Sequence, residues 1–128
     1  MRILVDTHIF IWWNDELSLL SKSARNLLED SNNQLVISAA TLWEMQIKLA
    51  IGKLPLRLPL AEMVREQQEQ NGFQILPITL PHVLALENLP FHHKDPFDRL
   101  LIAQAQAENL PILSADPVFG RYNINHLV

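Results

Sequence analysis

An open, mostly parallel α/β sheet of four or five strands between helical layers is the fold the sequence predicts. Three observations lead there. The apolar runs Ile3-Leu4-Val5, Leu35-Val36-Ile37, Gln74-Ile75-Leu76 and Ile112-Leu113 are short and show little polar alternation, as expected of strands covered on both faces. Helical segments separate these runs, which is the rhythm of parallel βαβ units. Four acidic residues, Asp6, Glu44, Asp98 and Asp116, each stand where a strand ends or a helix begins. In a parallel sheet those points gather along one edge, in the ligand-binding crevice.

The elements follow in order. Ile3 to Val5 form a first buried strand ending at Asp6. Thr7 is placed to cap a short helix carrying Ile9, Phe10, Trp12 and Trp13. Ser21 starts a second helix through Ala24, Leu27 and Leu28, and Asn32-Asn33 turns the chain into the second strand. A helix from about Thr41 stops at Gly52, a residue suited to the left-handed position after a helix. Pro55 and Pro59 mark a loop, after which a helix runs from about Leu60 to Asn71 and ends at Gly72. Residues 74–76, with Ile78, give the third strand, and Pro81 opens a short helix through Leu86. Residues 89–95 are a polar loop. Pro96 opens a helix to about Glu108, and Ile112-Leu113 lead into Ser114-Ala115-Asp116. The tail, Tyr122 to Val128, is placed as a short edge strand.

Size and composition bound the rest. The 128 residues, 48% hydrophobic and 19% charged, make one domain, residues 1–128, with a real core. There is no linker, internal repeat or low-complexity tract. Cysteine is absent, which excludes disulfides and thiolate zinc sites. No apolar run approaches the roughly 18 residues of a membrane span, and Asp6 interrupts any secretory apolar core. A soluble cytoplasmic protein with no membrane segment is the expectation. The net charge of −4 and pI near 5.6 lack the basic signature of most nucleic-acid binders. A nuclease whose site is built of carboxylates can still be acidic, with nucleic acid held by a local patch.

Each acid has a structural reading beside a functional one. Asp6 fits a helix N-cap or an Asx turn, and the neighbouring His8 fits a ligand or a packed helix residue. Thr41-Leu42-Trp43-Glu44 fits a capping box. Glu44 also pairs with Lys48 at i,i+4, so Thr41, Glu44 and Lys48 read as a solvated stripe. Asp95, Pro96 and Asp98 make a good helix start without any function. The helix behind them is apolar nearly all round, so its first turn is fixed by the core, which suits a metal ligand. Asp116-Pro117 is a turn starter, and Ser114 is placed to hydrogen-bond a neighbouring carboxylate. Together, four carboxylates at one edge would repel strongly without a cation. They point to hard divalent ions and metal-assisted hydrolysis of a phosphodiester.

Other chemistries fit poorly. With only Gly52, Gly72 and Gly120, neither a P-loop nor a dinucleotide-binding glycine motif can be built. No Gly-x-Ser-x-Gly elbow exists. An aspartyl-phosphate phosphatase usually has a second aspartate two residues after the first, where this chain has His8. Adjacent histidines on a loop rarely bind one ion together, so His92-His93 are set aside as zinc ligands. Trp12, Trp13 and Trp43 are read as core before interface.

The ordered motifs carry a resemblance. Asp6-Thr7-His8 with Trp12-Trp13 comes first, then Ser38 to Glu44 with Ile47-Lys48 and Gly52-Lys53-Leu54. His93-Lys94-Asp95-Pro96-Phe97-Asp98-Arg99 with Ile102 to Ala105, and Ser114-Ala115-Asp116, complete the set. Together they resemble the PIN-domain family, and within it the VapC-like toxins of type II toxin–antitoxin pairs. The resemblance implies a three-layer α/β/α fold and a Mg²⁺- or Mn²⁺-dependent endoribonuclease. It implies Asp6, Glu44, Asp98 and Asp116 as the acidic metal site, with Asp95 a helix cap first and a site residue second. It also implies homodimers and a cognate antitoxin that inserts a segment near the acids. Lys48, Lys94, Arg99 and Arg121 are the nearby cations suited to RNA phosphates, although Arg99 could equally pair with Asp95. The alternatives are a non-catalytic PIN-like domain that binds RNA or protein, and a small metal-dependent phosphatase or DNA nuclease.

Overall fold

Five strands form a single sheet in the order β3-β2-β1-β4-β5, every neighbouring pair parallel. They are β1 (Arg2–Val5), β2 (Gln34–Ser38), β3 (Gln74–Leu76), β4 (Ile112–Leu113) and β5 (His126–Leu127). The computed structural model describes residues 1–128. The expected strands are thus present, and the tail supplies the fifth, parallel to β4 at the edge. Six helices cover the sheet: α1 (Thr7–Asp15), α2 (Lys22–Glu29), α3 (Ala39–Ala50), α4 (Leu60–Asn71), α5 (Leu80–Ala85) and α6 (Pro96–Glu108). None is long and apolar enough to cross a membrane.

Alternation along the strands explains why β1 and β2 carry unbroken apolar runs, Ile3 to Val5 and Leu35 to Ile37. Ile3 and Val5 of β1 point into one core cluster, with Leu35 and Ile37 of β2, Ile9 and Phe10 of α1, and Met63 of α4. Leu4 and Val36 point the other way, into a second cluster with Leu101 and Ile102 of α6 and Phe119. Successive side chains of a strand face opposite sides, so a strand between two helical layers needs hydrophobic residues at every position. This is the three-layer arrangement. Helix α6 lies deepest, with every residue from Arg99 to Ala105 buried.

Three helix starts differ from the sequence reading. Asp6, not Thr7, is the N-cap of α1, its side chain accepting from the Ile9 amide, and Thr7 is the first helical residue. Helix α3 begins at Ala39 under a Ser38 cap, so Thr41 does not cap it and Glu44 lies well inside the helix. The sequence Ser38-Ala39-Ala40-Thr41 offers two hydroxyl caps three residues apart, and the strand runs straight into the first. Helix α5 starts at Leu80, one residue before Pro81. Gly72 ends α4, as expected, with φ of 64°, and Gly52 after α3 takes the left-handed conformation expected of it, with φ of 71°.

A buried polar contact ties β2 and α3 to α6. The Ser38 hydroxyl, already accepting from the Ala40 amide, donates to the side-chain carbonyl of Gln104, and both residues are fully buried. Gln104 in turn donates toward Pro77 O. Removing one partner of a buried hydrogen bond costs roughly 1–3 kcal/mol. Gln104→Leu is therefore expected to lower unfolding stability by about that amount, read as a fall in the urea midpoint with little change in slope.

Candidate metal centre

The chain leaves β1 toward β2 on one side, then returns past β3 to lay β4 on the other side of β1. The crevice between the carboxyl ends of β1 and β4 is therefore a topological switch point, the place where open α/β sheets bind ligands. Asp6 follows the last residue of β1, and Asp116 stands three residues beyond β4. Each uses one oxygen to start a helical turn: Asp6 Oδ1 accepts from the Ile9 amide at 2.9 Å, and Asp116 Oδ1 from the Val118 amide at 3.0 Å. Ser114 Oγ accepts from the Asp116 amide at 3.1 Å, which fixes the approach to Asp116. Asp6, His8, Trp12, Ala115 and Asp116 line an open cleft of about 290 Å³.

Glu44 reaches the same region from α3. The stripe of Thr41 and Glu44, read from sequence as solvated, is buried. It faces α1, where Thr7 Oγ1 lies 3.1 Å from Thr41 Oγ1 and donates to Glu44 Oε1 at 2.9 Å. Lys48 completes the predicted i,i+4 pair, its Nζ 3.2 Å from Glu44 Oε2. Turning this stripe inward turns another outward. Trp43 is 57% exposed, contrary to its reading as core, while Trp12 and Trp13 are half-buried against the first cluster.

Asp98 comes from the first turn of α6. Asp95 is the N-cap, as expected, with Oδ1 accepting from the amides of Phe97 and Asp98. Arg99 is not an RNA-facing cation, nor does it pair with Asp95. Its guanidinium turns back under the 89–93 loop and donates to the carbonyls of Pro90 (2.8 Å), Leu89 (3.1 Å) and His93 (3.4 Å), with the Phe91 ring over it. A planar fork of N–H donors suits this gathering of carbonyls.

That loop delivers a residue the sequence reading set aside. His93 Nε2 lies 2.9 Å from Asp98 Oδ2 and 3.3 Å from Asp116 Oδ2. His92 instead packs its ring against Tyr122. The objection to two adjacent histidines sharing an ion does not apply to one of them alone. The sequence signal was the position of His93 two residues before the cap of a buried helix, where a side chain can fold back over the helix start.

The electrostatics show how closely the acids are drawn together. Burial raises the proton affinity of Asp6 above the ordinary carboxylate range, with Ser114, the Ile9 amide and His8 opposing the rise and Asp116 adding to it. Asp98 is pushed up to about 7, first by burial and then by the charge of Asp95, with Asp6 and Glu44 adding to it and His93 opposing. All four expected acids thus share one field. The donors are carboxylate oxygens with a single imidazole beside them, and their crowding favours a partner cation. Asp98 and Asp116, with His93, each bring one donor atom within 4.8 Å of the others, and Asp6 and Glu44 act on Asp98 as charges; carboxylate oxygens of this kind suit a hard divalent ion.

Comparisons with known proteins agree with the architecture. The model of the PIN domain family matches residues 3–125. Among solved structures, the chain is similar to VapBC2 from Rickettsia felis bound to a promoter DNA fragment (18% identity, 100% of both chains covered, TM-score 0.74). It is also similar to a toxin–antitoxin complex from Klebsiella pneumoniae (20% identity, 98% of this chain and 96% of that one, TM-score 0.64). A third is VapBC-5, of the VapBC family of toxin–antitoxin systems, from Mycobacterium tuberculosis (14% identity, 98% and 94%, TM-score 0.60). A search by sequence among curated proteins found no match.

Two predictions follow from this geometry. Asp98 binds its proton more tightly folded, at about 7, than at the ordinary 3.8. Its contribution to stability is therefore full below about pH 4 and is lost as pH rises to about 7. A divalent ion competes for the same carboxylate, so ion binding strengthens over that interval. Thermal melts with and without MnCl₂ are expected to show a larger metal-induced rise at pH 8 than at pH 5.5; equal rises would contradict the assignment. Arg99→Lys keeps the charge but loses the fork, and is expected to speed amide hydrogen exchange across residues 89–95 while leaving the sheet amides protected.

Proposed function

Because the chain belongs to the PIN domain family, we propose that it is a Mg²⁺- or Mn²⁺-dependent endoribonuclease, the toxin of a cytoplasmic type II toxin–antitoxin pair. The observation that carries this reading is geometric: Asp98 Oδ2 and Asp116 Oδ2 meet at His93 Nε2, 2.9 and 3.3 Å away, with burial and the charges of Asp95, Asp6 and Glu44 raising the proton affinity of Asp98. A fold stabilised only by its core has no reason to bring these acids together; a phosphodiester hydrolase does.

Asp6, Glu44, Asp98 and Asp116 would hold the ion. A divalent ion held there would supply Lewis acidity, lowering the pKa of water beside an RNA phosphodiester and offsetting charge on the phosphate. The residues themselves hold the geometry. Asp6 and Asp116 are steadied by the amides they cap. Glu44 is oriented by Thr7 and balanced by Lys48. The first turn of α6 carries Asp98 on a helix whose next turns are buried. Of the four cations considered for RNA phosphates, Arg99 is withdrawn because its donors serve the loop, and Lys48, Lys94 and Arg121 remain. The toxin–antitoxin complexes among the similar folds support a protein antitoxin as partner. The exposed side chains of Trp43 and Ile47 on α3, with Ile51 just past its end, are the surface this reading assigns to a second copy of the chain.

Asp6→Asn and Asp98→Asn test the reading. Each is expected to lower kcat/KM for Mn²⁺-dependent RNA cleavage at least about a hundredfold, about 2.7 kcal/mol of transition-state stabilisation. Each is also expected to raise the melting temperature of the metal-free protein at pH 8, since it removes a buried charge and keeps the shape. Full activity in a folded variant free of contaminating nuclease would sink the assignment. DNA and a phosphomonoester, assayed alongside RNA, separate this reading from a DNA nuclease or a phosphatase.

A further inference from the structure

Most of helix α1 is engaged by the fold. Thr7 donates to Glu44, Ile9 and Phe10 enter the first core cluster, and Trp13 Nε1 donates to Gln67 Oε1 at 3.0 Å. His8 and Trp12 are the exception. They stand four residues apart, hence on one face of the helix, and that face borders the metal centre. Both line the open cleft of about 290 Å³ that Asp6, Ala115 and Asp116 complete. His8 is exposed. Trp12 rests against the core cluster, but its indole N–H, unlike that of Trp13, has no partner in the chain and reaches solvent.

What such a cleft holds follows from its walls. The centroids of the His8 and Trp12 rings lie 6.0 Å apart with the planes tilted by 50°, neither stacked nor edge-on. The other exposed aromatic pair near the acids, Trp43 and Phe97, is edge-on at 5.1 Å and 74° and lies outside the cleft. The cleft falls at the small end of ligand pockets, which span roughly 300–1,000 Å³, so it has room for one planar group. Its two acids serve the phosphodiester in the reading above, and its rings offer a flat surface beside them. The part of an RNA strand that is flat, stacks on aromatic side chains and adjoins a phosphodiester is an unpaired base. The net charge of −4 makes that contact matter, because general phosphate attraction, the main source of affinity in basic nucleic-acid binders, is weak here.

We propose that His8 and Trp12 form a base-stacking subsite that receives the nucleotide beside the cleaved bond and so restricts the chain to unpaired RNA. This rests on the nuclease reading above. A duplex keeps its bases paired and stacked, and offers no free base face to the cleft.

The test is fluorescence anisotropy on the full chain, in Ca²⁺ buffer without Mn²⁺, with the RNA checked as intact on a gel. The probes are a labelled single-stranded oligouridylate, an abasic ribose-phosphate strand of equal length and an RNA duplex. Wild-type protein is expected to bind the oligouridylate more tightly than the duplex, and about 5–100-fold more tightly than the abasic strand, the range for stacking one base on an aromatic ring. Trp12→Leu, which keeps apolar packing against the core, is expected to lose the preference over the abasic strand, and Trp12→Phe to regain most of it. Circular dichroism checks that each variant is folded. Should the leucine variant not fold, photocrosslinking of wild-type protein to iodouridine-substituted RNA decides, with adducts expected on Trp12 or His8. Equal binding of the intact and abasic strands overturns the proposal and leaves the nuclease reading standing. So does tighter binding of the duplex, an undiminished preference in folded Trp12→Leu, a phenylalanine variant as weak as the leucine one, or adducts confined to Trp43 or Phe97. Wild-type protein that prefers the oligouridylate but cleaves no RNA with Mn²⁺ overturns the nuclease reading while the stacking subsite stands. Protein that neither binds nor cleaves RNA overturns both.

Discussion

A carboxyl group shielded from water and set beside other carboxylates is disfavoured twice in its charged form, and Asp98 stands under both pressures. The surrounding structure is organised by that conflict. Lys48 balances Glu44, His93 faces Asp98 and Asp116, and Ser114 and the Ile9 amide favour the charged form of Asp6. None of these removes the excess, because burial remains the largest cause for both Asp6 and Asp98. Charge left incompletely balanced in a crevice is a poor way to stabilise a fold and a direct way to attract a divalent cation.

Holding such a site requires elements that do not yield. Helix α6 is buried from Arg99 to Ala105 and lies against the second core cluster, so its first turn cannot drift without disturbing the interior. The Ser38–Gln104 contact joins the start of α3 to the middle of α6, coupling the helix of Glu44 to the helix of Asp98. Arg99 does the same for the loop before α6. Its guanidinium gathers three carbonyls of a short segment without regular structure, of which Pro90 O is also served by the Tyr122 hydroxyl. A buried cation spent on backbone carbonyls is costly to keep, and here it fixes the segment that carries His93.

Much of this was legible in the sequence, and the misreadings share a cause. Strands buried on both faces announce themselves as unbroken apolar runs, so β1, β2 and β4 are legible from those runs, while the edge-side β3, with Gln74 exposed, shows a weaker one. Asp6, Asp98 and Asp116 were legible because strand ends and helix starts are marked by caps and prolines. Glu44 was harder. Thr41-Leu42-Trp43-Glu44 satisfies a local capping rule, and only the contact with Thr7, 37 residues away, shows which way it faces. Arg99 was misread in the same way: Asp95 offered a partner one helical turn back, whereas its true partners lie on a loop that folds underneath. The error over Trp43 follows from Glu44. Once the stripe of Thr41, Glu44 and Lys48 faces α1, helical geometry obliges Trp43 and Ile47 to face away. Local pattern sets element type; which face turns inward is decided by residues distant in sequence.

The question of whether these acids are caps or ligands dissolves at the level of single oxygens. A carboxylate has two, and the backbone takes one. Asp6 and Asp116 each give Oδ1 to an amide of the following turn, and the Oδ2 of Asp116 is the atom that faces His93. Capping is what stiffens the carboxylate, so the first role serves the second. Asp95 divides its atoms differently. Its Oδ1 serves two amides at once, and it acts on the site as charge, ahead of Asp6 and Glu44 in raising Asp98. Glu44 differs again, with Oε1 taken by Thr7 and Oε2 by Lys48. For Glu44 to bind an ion it must share an oxygen already engaged. The four acids are therefore unequal. Asp6, Asp98 and Asp116 have no lysine or arginine partner, whereas Glu44 already has one, and the demand for a cation falls mainly on the first three.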